Sequence, residues 1–247
     1  MTMRWEGNDL VVEILFSQAG LATQVLVGAG STYLLFDAGN GTVRNLLERG
    51  VSPQKLAGVF ITHGHADHMA GLWGLLGYLR AEGHTESFTI WYPQGACEVA
   101  EALAAFRRCY GPTIPYELAE HPLSDGELVR LENVEVLARK LEHWHSIQGK
   151  PLAPAPALGY RITFLGQTVA ITGDTAFHPG LEDLLRGADL ALIEATLDDG
   201  APRLQRAKLH LTLCSARRLA RLAKAAVLLH RPDGRLLCNR PTHCDPP

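Results

Sequence analysis

The sequence has few cysteines and no long apolar run. Its 247 residues include five cysteines, an odd number scattered along the chain, which does not suit the disulfide framework of a small secreted protein. No apolar segment reaches the ~20 residues needed to span a bilayer. The first residues also lack the basic-then-apolar pattern of a signal peptide. We therefore expect a cytoplasmic protein with reduced thiols and no membrane partner.

Internal repeats and low-complexity tracts are also missing. Apolar residues make up 47% of the chain and charged residues 20%, which allows a sizeable core and excludes a disordered chain. The length fits one large domain or two small ones.

Positive charge is concentrated near the end of the chain. The formal net charge is −3, yet residues 201–247 hold 10 Lys/Arg against 2 Asp/Glu. Such asymmetry can mark a surface that faces an anion. The alternative is that Arg217, Arg218, Arg221 and Lys224 form the solvated face of a helix.

The order of predicted elements indicates two sheets with outer helices. The patterns predict strands at 10–16, 23–27, 32–37, 56–62, 87–91, two within 128–141, a hairpin at 160–165 and 168–172, and strands at 188–195 and 226–229. They predict helices at 42–48, 69–81, 96–109, 181–186 and 212–223. The strands come in runs rather than alternating strictly with helices, which favours packed sheets over a doubly wound parallel sheet.

Proline determines two further expectations. Residues 147–158 contain Pro151, Pro154 and Pro156, and we interpret this stretch as a loop. Residues 231–247 are also rich in proline and are expected to be irregular.

The most informative motif is a histidine cluster that directly follows the apolar run 58–61. Three imidazoles and one carboxylate fall within six residues: His63, His65, Asp67 and His68. Alternate side chains of an extended segment share a face, and His68 can turn inward as a helix begins. Imidazole and carboxylate together suit zinc and similar divalent ions.

Three distant residues, each ending an apolar strand, are candidates to complete the site. They are His143, Asp174 and His230. Five histidines and two aspartates exceed the needs of one tetrahedral zinc with an open position, and they suit two metals sharing a bridging carboxylate and a hydroxide. Asp174 is the expected bridge, because Gly173 lets the backbone approach closely.

These residues resemble those of metallo-β-lactamase-fold hydrolases. His63-Gly64-His65-Ala66-Asp67-His68 matches the HxHxDH motif of that family. Within the family the chain is most similar to the ribonuclease Z and phosphodiesterase group. The further matching segments are 33–42, Gly159-Tyr160-Arg161, Gly173-Asp174-Thr175, Ile193-Glu194-Ala195-Thr196 and His210-Leu211-Thr212.

The resemblance implies a fold, a cofactor and a ligand set. It implies a single α/β domain over residues 1–247, built as a four-layer αββα sandwich, with two divalent ions, zinc or alternatively manganese or iron. One ion would be held by His63, His65 and His143, and the other by Asp67, His68 and His230, with Asp174 between them. His145 stays open as an alternative third ligand, because it lies two residues from His143 on the same strand face.

The resemblance also implies a reaction. The two metals would lower the pKa of a shared water towards ~7 and hold it as hydroxide. Asp67 would orient that nucleophile, and His210, supported by Glu194, would protonate the leaving oxygen. The substrate would be a small phosphodiester or an RNA 3′ end, and the protein could be a homodimer.

Two departures from the family pattern keep a second hydrolase class open. Only 31 positions separate His143 from Asp174, so the long arm with which ribonuclease Z grips tRNA is missing. His230 is followed by Arg231-Pro232 instead of the phosphate-binding Ser-x-Arg-Tyr. The alternative substrate is a non-phosphate ester: a thioester, a lactone or a sulfate ester.

Overall fold

Two β-sheets of seven strands each form the framework of the computed structural model, which describes residues 3–229 and 231–238. The first sheet contains, in spatial order, β1 (Met3–Glu6), β2 (Leu10–Gln18), β3 (Ala22–Ala29), β4 (Thr32–Phe36), β5 (Leu56–Phe60), β6 (Phe88–Pro93) and β7 (Leu118–Leu123). Pairing is antiparallel from β1 to β4 and parallel from β4 to β7. The parallel strands therefore end at one edge of the sheet, where chemistry-bearing loops can meet.

Helices α1 to α4 connect the parallel strands of this sheet. They span Thr42–Glu48 (α1), Ala66–Met69 (α2), Leu72–Ala81 (α3) and Cys97–Tyr110 (α4), with 3₁₀ turns at Pro53–Lys55 and Gly111–Thr113. The buried faces of α3 and α4, including Leu75, Leu79 and Leu103, pack against the outer face of the sheet.

The second sheet comes from the rest of the chain. Its strands are β8 (Leu128–Leu131), β9 (Val134–Lys140), β12 (Leu158–Phe164), β13 (Gln167–Ile171), β14 (Leu190–Glu194), β15 (Ala225–Leu229) and β16 (Leu237–Cys238), in the spatial order β16-β15-β14-β13-β12-β9-β8. A separate hairpin joins β10 (His143–Ile147) to β11 (Lys150–Ala155). The helices are α5 (Gly180–Leu185), α6 (Arg203–Lys208) and α7 (Leu213–Leu219), followed by a 3₁₀ turn at Ala220–Leu222.

Aromatic rings fill the space between the sheets. Phe60 stacks on Trp91 with ring centroids 4.4 Å apart and on Phe36 at 5.1 Å. Tyr160 of the second sheet meets Phe60 edge-on and donates a hydrogen bond of 2.6 Å to the carbonyl oxygen of Ile61. Because α5 and α7 cover the outer face of the second sheet, the predicted helix–sheet–sheet–helix layering is confirmed.

The loop predicted over residues 147–158 is wrong. Residues 143–147 and 150–155 form a two-stranded ribbon, in which Pro151 lies opposite Ser146 and Pro154 opposite Trp144. Both strands of such a ribbon are edge strands, where a residue without an N–H is tolerated. Proline therefore did not prevent pairing here.

Two other expectations need correction. Residues 231–247 were expected to be irregular, but Leu237–Cys238 pairs with β15; residues 239–247 lie outside the described part. The helix expected over 69–81 is split by a turn at Gly71. A Cβ at Gly71 would lie 2.1 Å from the carbonyl oxygen of Gly39, so the close approach of these two segments requires glycine.

Within the described ranges, every helix is too short or too polar to cross a membrane.

Candidate metal centre and active site

The histidine cluster lies where β5 leaves the first sheet. The backbone is extended up to His65, which is the N-cap residue of the short helix α2. Asp67 and His68 lie in that helix, whose turn brings the His68 ring to a centroid distance of 4.0 Å from the His63 ring. Both of these rings are fully buried. A local change from extended to helical backbone thus gathers side chains from six consecutive residues.

A buried carboxylate orients His68. Asp37 follows β4 with φ +60° and accepts hydrogen bonds from the Thr62 amide at 2.7 Å and from the Thr62 hydroxyl at 2.9 Å. Its Oδ2 lies 2.7 Å from His68 Nδ1. Burial alone would lower the pKa of His68, but Asp37 and Asp174 raise it well above the usual value. His68 Nε2 consequently faces Asp174 Oδ1 at 3.6 Å and Asp67 Oδ2 at 3.9 Å.

Three imidazoles form the first group of donors. Nitrogen atoms of His63, His65 and His143 all lie within 4.8 Å of one another. His143 Nδ1 lies 2.8 Å from the carbonyl oxygen of Leu209, to which it can only donate, so His143 Nε2 is the acceptor-type atom that faces His65 Nδ1 at 3.2 Å. His145 lies on the other side of His65, with its Nδ1 3.1 Å from His65 Nε2.

The electrostatics of this group favour neutral imidazole. Burial lowers the pKa of His63 well below its usual value, lowers that of His65, and lowers that of His143 to about 3. Among the residues that the structure describes, the buried His63 Nε2 has no hydrogen-bond partner. Neutral imidazoles whose nitrogens converge in a buried hollow are the form and arrangement that bind metal.

Carboxylates form the adjoining part of the hollow. Donor atoms of His63, His68 and Asp174 also lie within 4.8 Å of one another. Gly173 adopts φ +57°, and a Cβ there would lie 2.7 Å from the Thr62 side chain, so glycine permits the close approach of Asp174. Asp67 Oδ2 accepts a hydrogen bond of 2.8 Å from the Gly20 amide.

His210 and two carboxylates form a third group beside the hollow. Its Nδ1 lies 3.0 Å from Glu194 Oε1 and 3.6 Å from Asp174 Oδ2. Glu194 is fully buried and accepts hydrogen bonds from the amides of Thr175 at 2.8 Å and Thr196 at 3.0 Å. Burial would lower the pKa of His210, but these carboxylates raise it to about 9. His210 keeps 20% of its side chain exposed and so can reach a bound molecule.

The structure brings together eight of the nine residues singled out from the sequence. They are His63, His65, Asp67, His68, His143, Asp174, Glu194 and His210. His230, predicted as the last ligand, lies outside the described residues. Two contributors were not predicted: Asp37 and the carbonyl of Leu209. Asp37 carried a signal, because it follows a buried strand next to β5, whereas a backbone carbonyl carries none.

Comparisons with known proteins agree with this geometry. The family model described as "Beta-lactamase superfamily domain" matches residues 32–230. The "Ribonuclease Z" of Geobacillus kaustophilus is 28% identical over 251 residues, covering 85% of this chain and 80% of the relative. The "Ribonuclease BN" of Salmonella paratyphi B is 30% identical over 234 residues, covering 78% and 75%. The crystal structure of human tRNase Z, short form, superimposes with a TM-score of 0.72 at 24% identity, covering 94% of this chain and 92% of that one, which shows the shared fold.

Proposed function

The chain belongs to the beta-lactamase superfamily and is a metal-dependent hydrolase of its ribonuclease Z-like branch, and we propose that it cleaves phosphodiester bonds in small phosphodiesters or at RNA 3′ ends. One observation carries the proposal. A hollow of convergent imidazoles and carboxylates adjoins His210, whose Nδ1 is held 3.0 Å from the buried carboxylate of Glu194. Metal-assisted hydrolysis of an ester with a basic leaving group uses these two parts side by side: a site for cations and a proton donor for the leaving group.

The donor set is suited to two divalent ions. We assign His63, His65 and His143 to one ion, Asp67, His68 and His230 to the other, and Asp174 to a position between them. When bound, the ions lower the pKa of water and offset negative charge on the phosphoryl group. Imidazole and carboxylate donors without a thiolate fit zinc, with manganese or iron as alternatives.

His143 is preferred over His145 as the third ligand of the first ion. The Leu209 carbonyl turns His143 Nε2 towards His65 Nδ1, and such an outer hydrogen bond usually determines which nitrogen of a ligating histidine faces the metal. His145 keeps 36% of its side chain exposed and lies 3.8 Å from Glu98.

His210 and Asp67 would carry the proton transfers. Glu194 holds His210 at Nδ1, which leaves Nε2 of the protonated ring to donate to the departing oxygen. Asp67 lies at the edge of the hollow, 16% exposed, where it can orient the attacking water. The backbone bonds to Glu194 and the Gly20 bond to Asp67 reduce the reorganisation needed during the reaction.

Substrate class can be tested with a panel of chromogenic esters. We expect the protein loaded with zinc or manganese to hydrolyse bis(p-nitrophenyl) phosphate, and a chelator to abolish the turnover, because the site is built for a cation-assisted reaction. The rate of p-nitrophenol release measures this hydrolysis. Turnover of a lactone, thioester or sulfate ester without any phosphodiester would contradict the proposal and support the other hydrolase class, which the relatives do not favour.

Asp37 should influence metal affinity without touching the metal. Asp37→Asn keeps the shape of the side chain but removes the charge that holds His68 Nδ1, and loss of such a partner typically weakens metal binding by about 10–100-fold. Competition with a chromophoric chelator measures the affinity. Asp125→Asn, at a surface pair with Arg139, is the matched control. An unchanged affinity for both metals in Asp37→Asn would remove His68 from the proposed ligand set.

Three general properties of the protein remain predictions: its domain organisation, its oligomeric state and its location in the cell. We propose that residues 1–247 form one domain, which the core shared by both sheets supports. A homodimer can be tested by light scattering. We also propose a cytoplasmic location, supported by the exposed thiols of Cys97, Cys109 and Cys214.

A further inference from the structure

A cavity lies beside the metal site and shares His210 with it. Apart from His210, it is lined by Phe177 from the loop after β13, by Arg206 of α6, and by Leu211, Thr212, Ser215 and Arg218 from the α7 segment. These residues come from three separate segments. The cavity therefore lies on the side of the site where the proposed proton donor acts.

One wall of the cavity is an exposed aromatic ring. Phe177 is 43% exposed, and the guanidinium carbon of Arg218 lies 5.9 Å from its ring centroid. An exposed phenyl ring forgoes the favourable free energy that is gained when apolar surface is removed from water. An open ring flanked by guanidinium is a platform on which nucleobases stack, whatever their identity.

The cavity also carries two guanidinium groups that form no ion pair with the carboxylates of the described residues. Lys208 and Lys224 nearby in the sequence pair with Glu142 at 3.6 Å and with Asp189 at 2.6 Å. By contrast, neither Arg206 nor Arg218 forms an ion pair with any carboxylate in residues 3–229 and 231–238. Unpaired guanidinium groups at a cavity rim attract phosphate and bind it with two donors.

We infer that this cavity binds the nucleoside attached to the leaving oxygen, with its base on Phe177 and the neighbouring phosphates near Arg206 and Arg218. The inference rests on the proposed function, since it takes His210 as the group that protonates this oxygen. It narrows the substrate from phosphodiesters in general to nucleotides whose base is accessible to the ring, as in a single strand.

Calorimetry with two ligands tests the base-stacking part. Adenosine monophosphate and inorganic phosphate share the phosphate group, so the ratio of their affinities for the zinc-loaded protein isolates the contribution of the base. We expect adenosine monophosphate to bind roughly 5–150-fold more tightly, the range for stacking on an aromatic side chain. Phe177→Trp should keep this preference, whereas Phe177→Leu, which is apolar but not aromatic, should abolish it. Leu165→Ala, at an exposed apolar residue outside the cavity, should change nothing.

Salt dependence tests the role of the arginines. For a ten-nucleotide single-stranded RNA, removal of one phosphate contact should reduce the slope of log KM against log salt by about 0.7. Arg206→Ala and Arg218→Ala should each show this reduction. Arg217→Ala, adjacent on α7 but not lining the cavity, is the control.

The outcomes separate the two proposals. Equal affinity for the two ligands, or a preference that survives in Phe177→Leu, overturns the assignment of this cavity. If the preference depends on the aromatic ring but bis(p-nitrophenyl) phosphate is not hydrolysed, the cavity binds nucleotides and the proposed reaction is wrong.

Discussion

Asp67→Ala is expected to reduce phosphodiester hydrolysis by at least about 10³-fold, because it removes a carboxylate from the hollow that positions both a cation and the nucleophile. Asp67 Oδ2 lies 3.9 Å from His68 Nε2 and is held by the Gly20 amide, so the carboxylate has a fixed position at the hollow. We also expect the variant to lose up to one of the two metal equivalents. The rate of bis(p-nitrophenyl) phosphate hydrolysis and the metal content by atomic spectroscopy measure the two effects.

The structure offers a matched control for this substitution. Asp183→Ala removes an exposed aspartate from the first turn of α5, away from the hollow, and should retain wild-type rate and metal content. An Asp67→Ala protein that keeps two metals and more than a tenth of the activity would show that this carboxylate neither ligates nor orients. The mechanism would then have to place the nucleophile without it.

His210→Ala is expected to lower kcat on RNA by about 10²–10⁴-fold, the range for loss of a general acid. The effect should depend on the leaving group. A ribose oxygen is strongly basic and needs a proton as the bond breaks, whereas p-nitrophenolate is a stable anion and leaves with little assistance. We therefore expect a much smaller loss with bis(p-nitrophenyl) phosphate. Comparison of kcat for the two substrates, with metal content measured in parallel, separates proton donation from a structural effect.

His121→Ala is the control for that experiment. His121 is an exposed histidine of β7 that contacts Glu127 at 2.9 Å, and its removal should leave both substrates unaffected. If His210→Ala released metal, or slowed both substrates equally, His210 would be supporting the metal centre rather than protonating the leaving group. His210 Nδ1 lies 3.6 Å from Asp174, so its loss can also disturb a proposed metal ligand. Metal content is therefore measured together with the rates.

The charged C-terminal segment shows how far composition can be interpreted. The surplus of Lys/Arg in residues 201–247 left two alternatives, an anion-facing surface or a solvated helix face. The structure separates two neighbours in this segment: Arg218 lines the cavity beside His210, where we infer nucleotide binding, whereas Arg217 does not. Adjacent residues of a helix point about 100° apart, and which of them meets a site depends on how α7 packs against the second sheet.

The hairpin at 143–155 shows the opposite limit. Three prolines are strong local signals against a strand, and they supported the expectation of a loop. In the described part of the chain the two strands pair only with each other, and edge strands of this kind tolerate a residue without an N–H. No local pattern distinguishes such a free ribbon from a loop.

Spacing along the chain was enough to identify the histidine cluster, because its geometry arises within six consecutive residues as an extended segment becomes a helix. The same local order identified Asp174, with Gly173 before it, as a residue able to approach the cluster. The convergence of His143, Asp174 and His210 on that cluster is different in kind. It depends on the packing of two sheets about a shared aromatic core and on the Leu209 carbonyl that orients His143. This packing determines which residues far apart in the chain come into contact. A single sequence contains no direct measure of the distances between them.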